Sequence, residues 1–160
     1  MEKSVFTCTM CGQCCEGQGG IVVSPSDLIR LCDFLQIDHS CFNEQYAYVH
    51  NNKLKIKSGA DNFCIFFKKN IGCTIHIARP DICRAWPFFR GNMVDSESFY
   101  LAKDYCPGID PESSHSDFVA EGLIYLKEHS LGAYDIKCEA HALVSMNTKI
   151  ADLYLAIERK

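Results

Sequence analysis

The apolar positions of this chain change period several times, and each change marks an element. Ile21, Val22 and Val23 form a short apolar run after the glycine-rich EGQGG, which reads as a turn entering a short strand. Leu28, Leu31, Cys32 and Leu35 then recur at helical spacing. SPSD (24–27) opens that helix: Ser24 caps it, Pro25 takes the first helical position and Asp27 completes a capping-box-like pattern. DHSCFNEQYA predicts a second, short helix capped by Asp38 or Ser40.

YVHNNKLKIK predicts a β-hairpin about Asn51-Asn52, because asparagine tolerates the positive φ of a tight turn. FCIFFKKNIGCTIH predicts another, turning through KKNIG. RPDICRAWPFF mixes two prolines with a short helical turn starting near Pro80. A strand is expected around Phe99 to Ala102, before a loop ending in CPG. The helical period returns from Ser116 to about Glu128 and from Glu139 to about Ile157. Phe118, Leu123 and Leu126, then Leu143, Met146, Ile150, Leu153 and Ile157, form apolar stripes that read as core rather than a cofactor box.

Together these elements predict a small α+β domain, with short hairpins and loops around a cysteine-rich region and three or four helices packed on it. A length of 160 residues suits one domain, with a metal-binding portion over 1–112 and a helical portion over 113–160. A net charge of -4 gives no electrostatic support to a nucleic-acid partner, and KLKIK (53–57) and KK (68–69) read as solvated strand faces. No apolar run approaches the ~18 residues that span a bilayer, and MEKSVFTCTM is not a signal peptide. The expectation is a cytoplasmic protein with no membrane partner.

The 11 cysteines change the picture most. Thiols stay reduced in the cytoplasm and an odd count suits a disulfide framework poorly, so metal is their expected use. CTMCGQCC carries Cys8, Cys11, Cys14 and Cys15; Cys64, Cys73, Cys83 and Cys106 complete a candidate set. Two-residue spacing lets successive thiolates converge on one centre, because the intervening backbone curls around it. Cys-x2-Cys-x2-Cys is the spacing of three ligands in bacterial ferredoxins, whose remote fourth ligand precedes proline, and Cys106 precedes Pro107. The later cysteines supply no second Cys-x2-Cys pair of the kind tandem zinc knuckles use. Both details tilt the reading toward an iron–sulfur cluster of the [4Fe-4S] type, with zinc as the alternative.

Cys15 is awkward. Adjacent side chains point apart in most backbone conformations, so Cys14 and Cys15 are not expected to share one small ion. A vicinal disulfide would need a strained ring and an oxidising setting. Cys15 is therefore expected to serve a second site, or to face the cluster as a redox or catalytic thiol. One partition puts Cys8, Cys11, Cys14 and Cys106 around a [4Fe-4S] cluster and Cys15, Cys64, Cys73 and Cys83 around a second centre. Cys32, on the apolar stripe, and Cys41 and Cys138, without a partner at ligand spacing, read as structural.

These residues resemble a known family, the CxxCxxCC cysteine-cluster proteins, also called YkgJ-like and described as a zinc- or iron-chelating domain. The likeness runs over CTMCGQCC, GGIVVSPSDL (19–28), CIFF from Cys64, GCTIHIARPDICRAWPF around Cys73 and Cys83, and CPGI (106–109). It covers roughly residues 8 to 110, and the eight cysteines above are those that match. Arg79 and Arg84, flanking Cys83, match too; beside an anionic cluster a guanidinium can hydrogen-bond sulfur and raise its potential, or it can form an ordinary salt bridge. His76 stands where the family usually carries tyrosine. It is within reach of a centre at Cys73, as a Rieske-like ligand or as an imidazole beside a complete thiolate set.

Three functions follow. The first is an iron–sulfur protein with a redox or cluster-dependent role and a protein or redox partner. The second is a zinc-stabilised binding or scaffold module, in which metal supplies folding energy. The third, implied by the resemblance alone, is an activity related to the flagellin lysine-N-methylases, which carry this domain. GQGG (17–20) precedes a strand rather than following one, so it reads as a turn near the metal and not as a donor-nucleotide loop. No catalytic constellation can be argued from the sequence; Cys15 and His76 are the residues to watch.

Overall fold

A computed structural model describes residues 4–134 and 137–145. The fold is α+β. Among the described residues four helices run eight residues or more: α1 (Pro25–Leu35), α2 (His39–Tyr46), α5 (Ser96–Tyr105) and α6 (His115–Glu128). Two more, α3 (Asp81–Ala85) and α4 (Arg90–Val94), are single turns. The strands are β1 (Val22–Val23), β2 (Ala47–His50), β3 (Lys53–Ile56), β4 (Phe67–Lys68) and β5 (Gly72–Cys73). No described helix is long and apolar enough to cross a membrane.

The chain forms two compact units, one of Gly12–Arg84 with Asp135–Ala140, the other of Met1–Cys11, Ala85–Tyr134 and His141–Lys160. In the first, β1, β3 and β2 make an antiparallel sheet in that order. Asn51 (φ 50) and Asn52 (φ 58) take the left-handed turn between β2 and β3, as expected. The β4–β5 hairpin turns through Asn70 (φ 67), with Phe67 paired to Cys73. Helix α1 starts on the expected box: Ser24 accepts from the Asp27 amide and Asp27 from the Ser24 amide. Asp38, the first of the two candidates, caps α2. Leu31, Phe42, Ile56, Phe66 and Ile75 are buried in this unit's core, with Cys15, Leu28, Leu35 and Cys73 packed on it.

In the second unit the Phe118 ring packs at a tilt against both Phe88 and Phe99, with ring centroids 4.8 Å apart in each pair. Gly122 of α6 lets this happen: a Cβ there would meet the Phe88 ring at 2.5 Å and the Met93 sulfur at 2.9 Å. Gly122→Ala is expected to cost about 2 kcal/mol by overpacking, read as a fall in the denaturation midpoint. The segment around Phe6 pairs antiparallel with Ile109, and the Thr7 amide donates to the Gly108 carbonyl at 2.9 Å.

Two expectations are corrected. Phe99 to Ala102 lie in α5, because the Asp95 side chain accepts from the Ser98 amide and starts a helix that buries Phe99 and Ala102 on one face. Residues 139–145 form turns rather than the start of a helix, and Ala133 bridges Ser145. The rest of that expected helix, from 146 on, lies outside the described residues.

Candidate metal centre

A backbone ladder in the Gly12–Arg84 unit brings cysteines from four segments together. Gly12 turns left-handed (φ 88) into a 3-10 helix, Gln13–Cys15. The Cys15 carbonyl then accepts from the Cys64 amide at 2.8 Å, and the Gly17 amide donates to Asn62 at 2.8 Å. Cys64 leads into the β4–β5 hairpin that ends on Cys73, and Cys83 sits on α3 after the Pro80 turn. Gly12 is fixed by space as well as by φ, because a Cβ would lie 2.2 Å from the Phe67 ring. Gly12→Ala is expected to cost about 3 kcal/mol from backbone strain and clash together, measured by denaturant unfolding.

Each of the thiols of Cys14, Cys15, Cys64, Cys73 and Cys83 interacts electrostatically with at least three of the others. Cys15 donates its S–H to Cys14, which lowers Cys14 to about 7 against the effect of burial, with help from the Arg79 guanidinium. The same bond, then burial and the charges of Cys14, Cys64 and Cys73, push Cys15 far above the thiol range. Burial raises Cys64 to about 11, although the Phe66 and Phe67 amides point at its sulfur and favour the thiolate. Burial also holds Cys83 well above its usual value, with Cys64, Cys14 and Cys73 adding and Arg79 opposing. On this turn the Cys14 and Cys15 thiols lie within hydrogen-bonding reach of each other, with Cys14 exposed and Cys15 packed on the core.

Cys8, Cys11 and Cys106 belong to the other unit. Cys8 and Cys11 are exposed, whereas Cys106 is buried and accepts from Trp86 Nε1 at 3.4 Å. Cys32 is buried on α1, and Cys41 accepts from the Gln45 amide at 3.1 Å. Cys138 is half-buried, and no disulfide joins any of these cysteines. His76 Nε2 contacts Arg79 Nη1, and burial followed by that guanidinium lowers the imidazole's pKa. Arg84 donates to Asp81 at 3.1 Å, the salt-bridge alternative.

The Cys73–Cys83 loop is held by a clamp that no local sequence pattern announces. Arg30 donates to Asp27 at 2.5 Å, to Asp81 at 2.9 Å and to the Arg79 carbonyl at 3.0 Å. Asp27 also accepts from the Asp81 amide at 3.0 Å, so its capping carboxylate serves α1 and this loop together. Its burial, and then the Asp81 charge, push its pKa up. The only sequence signal was an acid and an arginine three apart on a helix whose apolar face lay elsewhere.

In chemistry these residues fit a soft cation. Clustered sulfurs are the donors that zinc, copper(I) and iron–sulfur centres select, and a cation would offset the mutual repulsion of their thiolates. Amides aimed at Cys64 are the support a bound thiolate uses. Among the described residues no group of three or more His, Cys, Asp or Glu side chains is placed to hold a metal ion. The fold and this sulfur cluster define a thiol-rich metal-chelating domain. The chain belongs to the CxxCxxCC family, described as "Putative zinc- or iron-chelating domain", whose family model matches residues 7–107. No curated protein and no solved structure matches the chain.

Proposed function

We propose that the chain is an iron–sulfur protein of the [4Fe-4S] kind, with ligands drawn first from Cys14, Cys15, Cys64, Cys73 and Cys83. The observation that carries this reading is sulfur supply: each of these five thiols interacts electrostatically with at least three of the others, enough to give a [4Fe-4S] cluster its four thiolates. The spacing of Cys8, Cys11 and Cys14 and the Cys106-Pro107 pair support it. A bound cluster would supply one-electron chemistry, which implies a protein redox partner and a reducing compartment such as the cytoplasm. Here the chain's own part is to hold the sulfurs and bury Cys64.

Zinc is the second reading, and one observation favours it. Cys14 and Cys15 lie within hydrogen-bonding reach, comparable to the ~3.8 Å sulfur–sulfur edge of a tetrahedron with 2.3 Å zinc–sulfur bonds. Anaerobic purification separates the two. A brown protein with iron and acid-labile sulfide in equal amounts and a reducible electron-paramagnetic-resonance signal is expected. A colourless protein with one zinc per chain and no sulfide would replace the cluster reading by the zinc one. After reconstitution, two [4Fe-4S] centres would give about eight irons per chain, and one would give about four.

A further inference from the structure

Cys106 is held at three points. Its amide donates to the Ala102 carbonyl at 2.8 Å and closes the C-terminal end of α5. Its carbonyl accepts from the Ile109 amide at 3.1 Å, across the turn that begins Cys106-Pro107-Gly108. Its sulfur accepts from Trp86 Nε1 at 3.4 Å. An indole N–H commonly finds an oxygen when taken out of water, and a neutral thiol is a weak acceptor. The same bond becomes charge-assisted once the sulfur is bound to a metal.

A second sulfur comes to this turn. The Thr7 amide donates to the Gly108 carbonyl at 2.9 Å and the Asp110 amide to the Val5 carbonyl at 2.9 Å, so the segment before Cys8 pairs along it. The approach is close: a Cβ on Gly108 would lie 2.5 Å from the Thr7 carbonyl oxygen. Glu121 of α6 fastens the start of the segment, accepting from Ser4 Oγ at 2.5 Å and from the Val5 amide at 2.9 Å. Cys8 follows Thr7 directly and is exposed, while Cys106 is buried.

We propose that Trp86 is the positioning residue of Cys106: its Nε1–H donates to that sulfur while the sulfur holds metal. This rests on the metal–thiolate reading above and extends it to the unit that carries Cys8 and Cys106. Metal-bound sulfur is anionic, and a donor aimed at it orients the ligand and steadies its charge. The Phe89 ring stands edge-on to the indole, with centroids 5.1 Å apart, and keeps it from turning away.

Proton–nitrogen NMR of the full chain loaded with cadmium tests this, using the spin-active isotope of that soft, thiolate-binding ion. Trp86 is the sole tryptophan, so its indole N–H gives one unambiguous peak. On loading, that peak is expected to move downfield and to show a scalar coupling to cadmium carried through the sulfur. Cys106→Ser should keep the peak and lose the coupling. Trp86→Phe, which keeps a ring without the donor, should weaken cadmium affinity about tenfold. The coupling is read in the wild type, so it decides the donor role even where Trp86→Phe fails to fold. A wild-type chain whose ultraviolet absorption shows cadmium–thiolate bonds, with the indole unmoved and uncoupled, overturns the proposal and leaves the metal reading standing. An unchanged affinity in a folded Trp86→Phe overturns the positioning role. If no cadmium–thiolate absorption develops at all, the metal reading itself fails and this inference falls with it.

Discussion

Replacing Cys64 by serine is expected to abolish stable metal retention and, with it, most of the thermal stability of the Gly12–Arg84 unit. The size follows from linkage: structural thiolate sites hold zinc with roughly 10–16 kcal/mol of apparent binding energy, and that energy counts as folding energy. Cys64 is buried, packed in the core and addressed by two backbone amides, so no neighbouring oxygen replaces its sulfur. Serine is nearly the same size, so the metal-free forms should melt within a few degrees of each other. The contrast is therefore specific: a large drop in the melting temperature of the loaded protein and almost none without metal. Cys32→Ser is the control from the same core, and it should keep its metal.

Asp27→Ala should be among the most damaging substitutions outside the cysteines, at about 3 kcal/mol by denaturant unfolding. Three losses combine. The α1 cap disappears, which alone costs about 1 kcal/mol. The Asp81 amide loses its acceptor in a partly buried place, and Arg30 loses its closest carboxylate. Arg30 is about a third exposed, at 32%, so its pairing contributes less than a fully buried ion pair would. Asp27→Asn keeps an oxygen for the amides and should cost about 1 kcal/mol. A cost for Asp27→Ala no larger than a cap alone would show that the loop does not depend on this carboxylate.

Where local chemistry decides structure, the sequence was readable. Ser24, Pro25 and Asp27 specify the start of α1 within four residues, and Asn51-Asn52 specify a hairpin because few other pairs accept two positive φ values. Phe99-Tyr100-Leu101-Ala102 was not readable in this way. A continuous apolar run has no period, and the deciding group was a cap at Asp95 outside the run. α4 carries glycine and asparagine, so its single turn is held by contacts such as Asn92 Nδ2 to the Pro87 carbonyl at 2.7 Å rather than by propensity.

The candidate site divides the same way. Its cysteines stand out because thiols at two-residue spacing are rare outside metal sites. The convergence of Cys14 and Cys15 depends on a 3-10 turn set by Gly12 against the Phe67 ring, which lies far along the chain. The clamp depends on a contact between Asp27 and Asp81, 54 residues apart, where sequence pattern carries no information.

If the sulfurs of the Gly12–Arg84 unit hold the metal, removing two of them removes it. The most direct measurement is metal per chain after anaerobic gel filtration, for wild type, the double variant Cys64→Ser/Cys83→Ser and the double variant Cys32→Ser/Cys41→Ser. The second protein should lose the metal that these sulfurs hold, and the third should match the wild type. Full metal retention by Cys64→Ser/Cys83→Ser would contradict it.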